Sequence, residues 1–326
     1  TINDAGCCEY PAQTYYVDIN AEDGGDGSEE SPFSSIQTAI NTSSTTIADI
    51  IFVHAGTYLG GITVNHNVQI ISIDGQDATI ITGQGQSRVF TISDGIDNTT
   101  IIDGFTLING DGGEKGGALL VENASPTLRN LDIRGNQAQK GGGIYLENSS
   151  SVFESVSVTG NYTSSFSGEG GAIYITNSTI NLDYATISGN YAPDGGGIFV
   201  SGIQNKLIVS NSIIWNNDNE EIKFHTNLDG YSDYEISYSL IDGGQDGIAD
   251  NGWVFYEYDD SNLSSYDSGD DVDIFINPFN PPSGEPITEG NYHLHPSSPC
   301  IGAAENESDM GAYPFEPIEG CTDPYA

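Results

Sequence analysis

Basic residues that could take a proton from an acidic sugar are few, and most of them lie in one part of the sequence. Arg129 and Arg134 flank Asp132 in one strand-like segment, and Lys115 and Lys140 stand beside two successive glycine blocks. β-Elimination on a uronate requires a base that removes the proton and a cation that neutralises the carboxylate. The acidic neighbours favour a plainer interpretation, in which these side chains form surface ion pairs.

Asp132 and Asp183 are the other candidates for acid–base chemistry. The repeats described below place them two coils apart, roughly 10 Å, which is an unconvincing arrangement for an acid–base pair acting on one glycosidic bond. No residue is therefore predicted to be catalytic. A non-enzymatic role is favoured, and a carbohydrate-active enzyme is the alternative.

A glycine-rich acidic loop is the best candidate for a metal site. Asp18, Asn20, Asp23 and Asp26 present side-chain oxygens at short intervals after a first strand, and calcium prefers oxygen ligands. The loop is not an EF-hand, because the bidentate Glu at the twelfth position and a following helix are absent. Calcium is the one cofactor predicted, and a solvated acidic turn is the alternative.

Two weaker metal candidates lie near the C-terminus. The acidic loop 257–273 ends in four aspartates: Asp267, Asp270, Asp271 and Asp273. His293 and His295 share one face of a predicted strand, which by itself is a weak metal signal.

The elements that must position these residues are four copies of one unit between residues 104 and 217. Each copy opens on a glycine block that runs into an apolar strand, and the blocks begin at Gly116, Gly141, Gly170 and Gly195. A period of 25 to 29 residues predicts a solenoid, in which each unit buries its apolar face against its neighbours.

Two columns of side chains follow from stacking these units in register. Strand residues alternate between faces, so the apolar positions form interior columns. Asn136, Asn161 and Asn190 close successive units and are predicted to form a buried ladder, whose amides bond from coil to coil. The pattern predicts an all-β fold, a parallel β-helix of about 8–10 coils.

A third column is predicted on the outside. The strand after each glycine block carries one large apolar residue on its other face, namely Leu120, Tyr145, Tyr174 and Phe199. One such residue per coil predicts a flat stripe that could stack on sugar rings or contact another protein. Ordinary cross-strand stabilisation is the alternative.

The rest of the chain completes one solenoid domain over residues 15–316. An open β-helix end exposes apolar core and unpaired strand edges, and the amphipathic segment 34–41 is predicted to be a short helix that caps the N-terminal end. Residues 286–316 are predicted to cap the other end. Residues 1–14 and 317–326 are expected to be tails.

The glycine–isoleucine openings and the Gly-Asn closings of these units resemble those of right-handed parallel β-helices of the pectin-lyase-like superfamily, and of polymorphic outer-membrane proteins in particular. The resemblance spans roughly residues 15–316 and implies the fold, not an activity, because this fold carries lyases, hydrolases, isomerases, adhesins and inert stalks. The Gly-His-Gly and Arg-x-Lys segments of a polygalacturonase-like hydrolase do not occur in the sequence.

The two ends of the chain resemble the halves of a small cysteine repeat found in multidomain secreted proteins. About 8–10 coils separate the ends by roughly 40 Å, whereas a disulfide needs Cα atoms within about 7 Å. Cys321 of one chain is therefore predicted to pair with Cys7 or Cys8 of the next, which would build a head-to-tail fibre. A Cys7–Cys8 bridge, a local Cys300–Cys321 bridge and a unit cut from a longer array are the alternatives.

Composition limits the partners. Seven Lys and Arg against 47 Asp and Glu give a formal net charge of −40, so nucleic acid and anionic membranes are excluded, and an anionic polysaccharide needs bridging calcium. No apolar stretch approaches the roughly 20 residues of a membrane span. No signal peptide is recognised, so the chain is expected to be mature or excised. An extracellular, disulfide-permissive setting is expected, with neighbouring copies or domains, or a polysaccharide, as partners.

Overall fold

The computed structural model describes residues 11–226, 232–250, 254–263, 274–277, 288 and 290–313. It contains one α-helix, α1 (Ile36–Thr42), and 3₁₀ turns at Gly244–Gly247 and Glu305–Glu307. The first strands are β1 (Thr14–Val17), β2 (Asp49–Val53), β3 (Gly56–Leu59), β4 (Ile62–Val64), β5 (Val68–Ser72), β6 (Thr79–Thr82), β7 (Phe90–Ser93), β8 (Ile101–Ile108) and β9 (Leu119–Glu122).

The repeat region and the C-terminal part supply the remaining strands. They are β10 (Thr127–Arg134), β11 (Gln137–Ala138), β12 (Ile144–Glu147), β13 (Ser150–Thr159), β14 (Tyr162–Thr163), β15 (Ile173–Thr176), β16 (Thr179–Asp183), β17 (Thr186–Ser188), β18 (Ile198–Gly202), β19 (Asn205–Ser210), β20 (Ile213–Trp215), β21 (Ile222–Thr226), β22 (Ser232–Ser237), β23 (Leu240–Ile241), β24 (Ile248–Ala249), β25 (Val254–Tyr258), β26 (Phe275–Asn277) and β27 (Asn291–Leu294).

Three parallel stacks of strands run along the solenoid, which confirms the predicted all-β parallel β-helix. Stack A has the order β1-β2-β5-β8-β10-β13-β16-β19-β22-β25, and stack B has the order β4-β7-β9-β12-β15-β18-β21-β24. Stack C contains β3, β6, the second halves of β8, β10 and β13, and then β17, β20 and β23. The described solenoid makes about seven full turns, in line with the seven steps between the eight strands of stack B; about 8–10 coils were predicted.

The predicted interior columns are confirmed. In stack B, Ile144 pairs with Leu119 on one side and Ile173 on the other, and all three are fully buried. In stack C, Leu131 pairs with Val156 in the same way. Burying each such side chain contributes roughly 1.5–3 kcal/mol, and each coil obtains that burial only from its neighbours.

Single residues with positive φ turn the chain from stack A to stack C. They are Gly104, Asn130, Ser155, Tyr184, Asn211 and Tyr238, with φ between 48° and 83°. Glycine and asparagine adopt this conformation most readily. Ser and Tyr at the same corner show that stacking on neighbouring coils overrides local preference, and strand patterns alone did not predict these bends.

The predicted asparagine ladder is confirmed and extends by one step to Asn217. Nδ2 of Asn136 donates to Oδ1 of Asn161, Asn161 donates to Asn190, and Asn190 to Asn217, at 2.8–3.0 Å. Each accepting Oδ1 also receives the backbone N–H of the preceding ladder residue. Glu221 ends the ladder, because its carboxyl group accepts the backbone and side-chain N–H groups of Asn217.

The N-terminal end is capped as predicted. The helix α1 begins two residues later than expected, and its buried face of Ile36, Ala39 and Ile40 packs on β1, β2 and β4. Tyr16 of β1 exchanges backbone hydrogen bonds with Gly27 and Phe33 at 2.9 Å, so residues 27–33 cover the edge of this strand. Within the described residues, no helix is long and apolar enough to cross a membrane.

The C-terminal segment differs from the predicted end cap. Residues 290–313, named the strap here, run along the outer face of stack C, where the N–H of Ala312 donates to Oγ1 of Thr186 at 2.9 Å. The reason is a second apolar core between the two surfaces, which includes Ile213, Trp215, Leu240, Phe275, Leu294, Cys300 and Met310. The outer face of stack C would otherwise expose these side chains to water.

Candidate functional site

The strap and stack C enclose a cavity of about 280 Å³, named the strap pocket here. Its floor consists of Asp132 and Arg134 from β10 and of Ser157 and Thr159 from β13. These residues alternate along their strands, and the register places Asp132 directly beside Ser157 and Arg134 beside Thr159. Strand geometry therefore fixes the four side chains on one outward face.

The strap supplies the roof of this pocket. Asn291, Tyr292, His293 and Tyr313 line it from above, and Asp77 stands at its rim. The imidazole ring of His293 lies against the ring of Tyr313, with 4.9 Å between ring centroids. Groups that are far apart in the sequence therefore converge on one small space.

Asp132 is the electrostatic centre of the strap pocket. Its side chain is 10% exposed, and its Oδ2 lies 3.2 Å from Nε of Arg134. Burial raises the pKa of Asp132 to about 6, although the Arg134 charge opposes this rise. Burial and the charge of Asp132 also raise the pKa of Tyr313. A carboxyl group that titrates near pH 6 in a cleft is a feature of functional sites.

The sequence singled out Asp132 and Arg134 as an ion pair but did not reveal the pocket. A usable signal was present in the column of stack C that reads Thr106, Asp132, Ser157 and Thr186. Three hydroxyl residues surround one acid, so the acid breaks an otherwise neutral outer column. The roof could not be inferred, because it comes from the distant C-terminal strap.

The predicted column of Leu120, Tyr145, Tyr174 and Phe199 is confirmed as a stack, and it forms its own cluster outside the main core. The rings of Tyr145 and Tyr174 are 4.9 Å apart and nearly parallel, and Phe199 continues the stack at 5.5 Å. The expectation of an open stripe is wrong, because the four side chains are only 1–8% exposed. The ring faces cover one another and are not free to stack on sugar.

Lysines cover part of this column. Nζ of Lys115 lies 4.6 Å from the ring centroid of Tyr145 and bonds to Glu122 and Glu147 at 2.7 and 2.8 Å. Lys140 covers Tyr174 in the same way and pairs with a carboxylate of the next coil. The ion pairs predicted for this cluster are therefore present, with glutamates of stack B as partners of Lys115.

All seven basic side chains of the protein are engaged in contacts within the chain. Arg88 donates to the backbone carbonyl oxygens of Gly112, Lys115 and Gly116, the last at 2.8 Å. The other six form ion pairs, which are Lys115 with Glu122 and Glu147, Arg129 with Asp103, Arg134 with Asp132, Lys140 with Glu169, Lys206 with Glu235, and Lys223 with Asp194 and Glu220.

The acidic N-terminal loop brings only part of the predicted calcium set together. Asp18, Asn20 and Asp23 line one cavity that does not include Asp26. Oδ1 of Asp18 accepts the N–H of Asn20 at 2.8 Å, and Asp26 accepts the N–H of Ser28 at 3.0 Å. Among the described residues, no three His, Cys, Asp or Glu side chains converge as a metal site requires. Calcium binding stays a prediction.

The remaining candidates are only partly within the described residues. Cys300 is a buried free thiol in the core beneath the strap, and burial raises its pKa to about 12. Cys7, Cys8 and Cys321 lie outside the described residues, as does the acidic set at 267–273, so these predictions are untested. Nδ1 of His295 bonds to Oγ of Ser297 at 2.7 Å.

Residues 116–263 match the protein-family model described as "Right handed beta helix region", which confirms the predicted fold resemblance over that range. Similar solved structures include a pectin methylesterase from carrot, at 15% identity and a TM-score of 0.44, with 80% of this chain and 86% of that chain covered. A pectin methylesterase from Aspergillus niger is 17% identical, with a TM-score of 0.42 and coverage of 79% and 88%. A rhamnogalacturonan lyase is 10% identical, with a TM-score of 0.39 and coverage of 81% and 91%. No curated protein sequence matches the chain.

Proposed function

We propose that this chain is a structural or adhesive β-helix unit that works outside the cell. One observation carries the proposal, namely that all seven Lys and Arg side chains are held in contacts within the chain. Six of them connect neighbouring coils, and Arg134 pairs within its own strand. A lyase of this fold needs a free base, and either calcium or Arg to neutralise a uronate, and the basic side chains of this chain are already paired.

The main consequence of these ion pairs is that the basic side chains are not free to bind a ligand, and their contribution to the stability of the fold is secondary. Exposed pairs contribute about 0–1 kcal/mol each, so they do not hold the solenoid together alone. They do leave a surface on which about seven negative charges stand for every positive one. Such a surface suits a soluble spacer in salt-containing water, where screening weakens self-repulsion.

The proposal includes assembly through the chain ends. Cys321 of one copy is expected to bond to Cys7 or Cys8 of the next, because the two chain ends resemble the halves of one cysteine repeat. The separation of roughly 40 Å expected from the coil count does not support this pairing, because the strap returns the chain at Tyr313 to Asp132 of β10. Oxidised protein should give a ladder of multimers on a non-reducing gel, and the Cys321→Ser variant should run as a monomer. A wild-type monomer with an intrachain bridge would refute head-to-tail assembly. Calcium in the acidic loop is a further part of this proposal and should raise the melting temperature.

A retention and turnover assay tests the adhesive role directly. The full chain is passed over immobilised alginate, pectate, methylated pectin and neutral glycans, with and without calcium. The proposal expects retention on at least one glycan without release of reducing or unsaturated sugar. Turnover without lasting retention would contradict it.

A carbohydrate-active enzyme is the second candidate, and the raised pKa of Asp132 in the strap pocket is the observation that favours it. A carboxyl group that titrates near pH 6 is suited to general acid or base catalysis. If the protein is an enzyme of this kind, Asp132→Asn should abolish turnover while the protein stays folded. Turnover that survives this substitution would remove the strap pocket from consideration.

A further inference from the structure

We propose that the strap pocket binds one neutral, polyhydroxylated ring, such as the terminal unit of a glycan. This inference deepens the adhesive form of the proposed function and rests on it. The size of the pocket is the first support. Pockets for small molecules usually measure about 300–1,000 Å³, so a cavity of about 280 Å³ suits one ring and excludes a length of chain.

The charges of the pocket favour a neutral ligand. Asp132 and Arg134 lie 3.2 Å apart and largely cancel each other. Asp77 at the rim adds a negative charge, and the whole chain carries a formal charge of −40. A uronate or a sugar phosphate is therefore repelled. A cationic ligand gains little, because the guanidinium of Arg134 already occupies the buried carboxylate.

The hydrogen-bonding groups of the pocket match hydroxyl groups. A carboxylate only accepts and a guanidinium only donates, whereas Ser, Thr and Asn side chains do both. Ser157 and Thr159 are only 1% and 2% exposed, so the polar groups open to a ligand are those of Asn291, His293 and the Asp132–Arg134 pair. Sugar hydroxyls donate and accept together, which matches this mixed set of donors and acceptors.

Ligand-observed NMR on the full chain at pH 7 tests the inference. The probes are the methyl glycosides of galactose, glucose, mannose and N-acetylglucosamine, with galacturonate and glucose 6-phosphate as anionic counterparts. At least one neutral glycoside is expected to bind with millimolar or better affinity, and the anions at least tenfold more weakly. Asp132→Asn should weaken binding at least tenfold.

A matched control separates the pocket from general effects. Asp103→Asn removes a carboxylate that is paired with Arg129 on stack A, outside the pocket, and should leave binding unchanged. Should Asp132→Asn fail to fold, Asn291→Ala replaces an exposed roof residue and is expected to weaken binding at least threefold.

Three results would overturn the inference: no binding of any neutral glycoside up to about 50 mM, anions that bind as well as neutral rings, or an equal loss in Asp103→Asn. If the glycosides fail while the full chain is still retained on a glycan, the pocket assignment falls and the adhesive proposal stands. If retention also fails, the adhesive proposal falls with it.

Discussion

The asparagine ladder and the strap pocket are two places where this protein buries polar side chains, and they do so in opposite ways. In the ladder, each amide donates to the next coil and accepts from the previous one, so repetition satisfies every step. In the pocket, Asp132 stands among hydroxyl residues and meets a single cation, Arg134, while Asp77 adds a second negative charge. The repeated asparagines therefore stabilise the scaffold, whereas the unrepeated Asp132 leaves a carboxyl group that can bind a ligand or transfer a proton.

Two buried carboxyl groups sharpen the contrast. Glu221 at the end of the ladder accepts two N–H groups of Asn217, and burial raises its pKa to about 8. Asp132 faces Arg134 and a cavity, and its pKa rises only to about 6. At neutral pH the first group is mostly protonated and takes the place of a ladder amide, while the second is mostly ionised and can accept hydrogen bonds.

The largest expected change in stability follows from removing a middle residue of the asparagine ladder. Asn161→Ala leaves the buried N–H of Asn136 and the Oδ1 of Asn190 each without one bond. At about 1–3 kcal/mol for each affected group, the free energy of unfolding should fall by about 2–6 kcal/mol in urea denaturation. Asn181→Ala, on the half-exposed face of β16, is the control and should change it by at most about 0.5 kcal/mol. Similar losses in both variants would mean that the ladder asparagines stabilise the fold no more than an asparagine outside the ladder.

The next effect concerns the end of the ladder. The native state keeps a proton on Glu221 up to about pH 8, whereas the unfolded chain loses it near the ordinary value of 4.5. The stabilisation is therefore complete below pH 4.5 and is lost by pH 8, at about 1.4 kcal/mol per pH unit. Relative to Glu221→Gln, the wild type should lose up to about 4 kcal/mol between pH 5 and 8. Parallel pH–stability curves would contradict this assignment.

A smaller loss of stability with rising pH is expected from Asp132 in the strap pocket. Asp132 has a native pKa of about 6 against an ordinary value of 3.8, so its contribution is present below pH 3.8 and lost as the pH rises through 6. Relative to Asp132→Asn, the wild type should lose about 2 kcal/mol between pH 4 and 6. A difference that instead grows in favour of the wild type as pH rises would mean that the Arg134 ion pair outweighs burial.

The smallest effect should come from the surface ion pairs. Lys140→Met removes the pair with Glu169, whose side chains are 39% and 27% exposed, and keeps apolar cover over Tyr174. The free energy of unfolding should change by less than about 1 kcal/mol, as measured by thermal and urea unfolding at low and high salt. A loss above about 2 kcal/mol would show that ion pairs share the scaffold role assigned to the ladder.

Much of the scaffold could be predicted from the sequence, because one coil constrains the next. The step from Gly141 to Gly170 and the Gly-Asn pairs were enough to place Asn136, Asn161 and Asn190 in one column. The bends at Ser155 and Tyr184 were missed, since neither residue type favours positive φ and only stacking imposes it.

The strap pocket could be predicted only in part, because no local sequence pattern links its floor on β10 and β13 to its roof on the strap. The hydrogen bond between Thr186 and Ala312 joins residues 126 positions apart. Nothing in the strap sequence indicates which face of the solenoid the strap covers. The same limit explains the error over Tyr145 and Tyr174. Alternation placed them correctly on the outer face, but it cannot report that lysine side chains and neighbouring rings bury them.

Hydrogen exchange measured by mass spectrometry, with and without a bound neutral glycoside, tests the division between scaffold and site most directly. The account predicts that amides of the ladder, such as that of Asn161, exchange only on global unfolding and ignore the glycoside. Strap amides such as that of His293 should exchange sooner and slow when the glycoside binds. Strap and ladder amides that exchange together, with no response to the glycoside, would contradict the account.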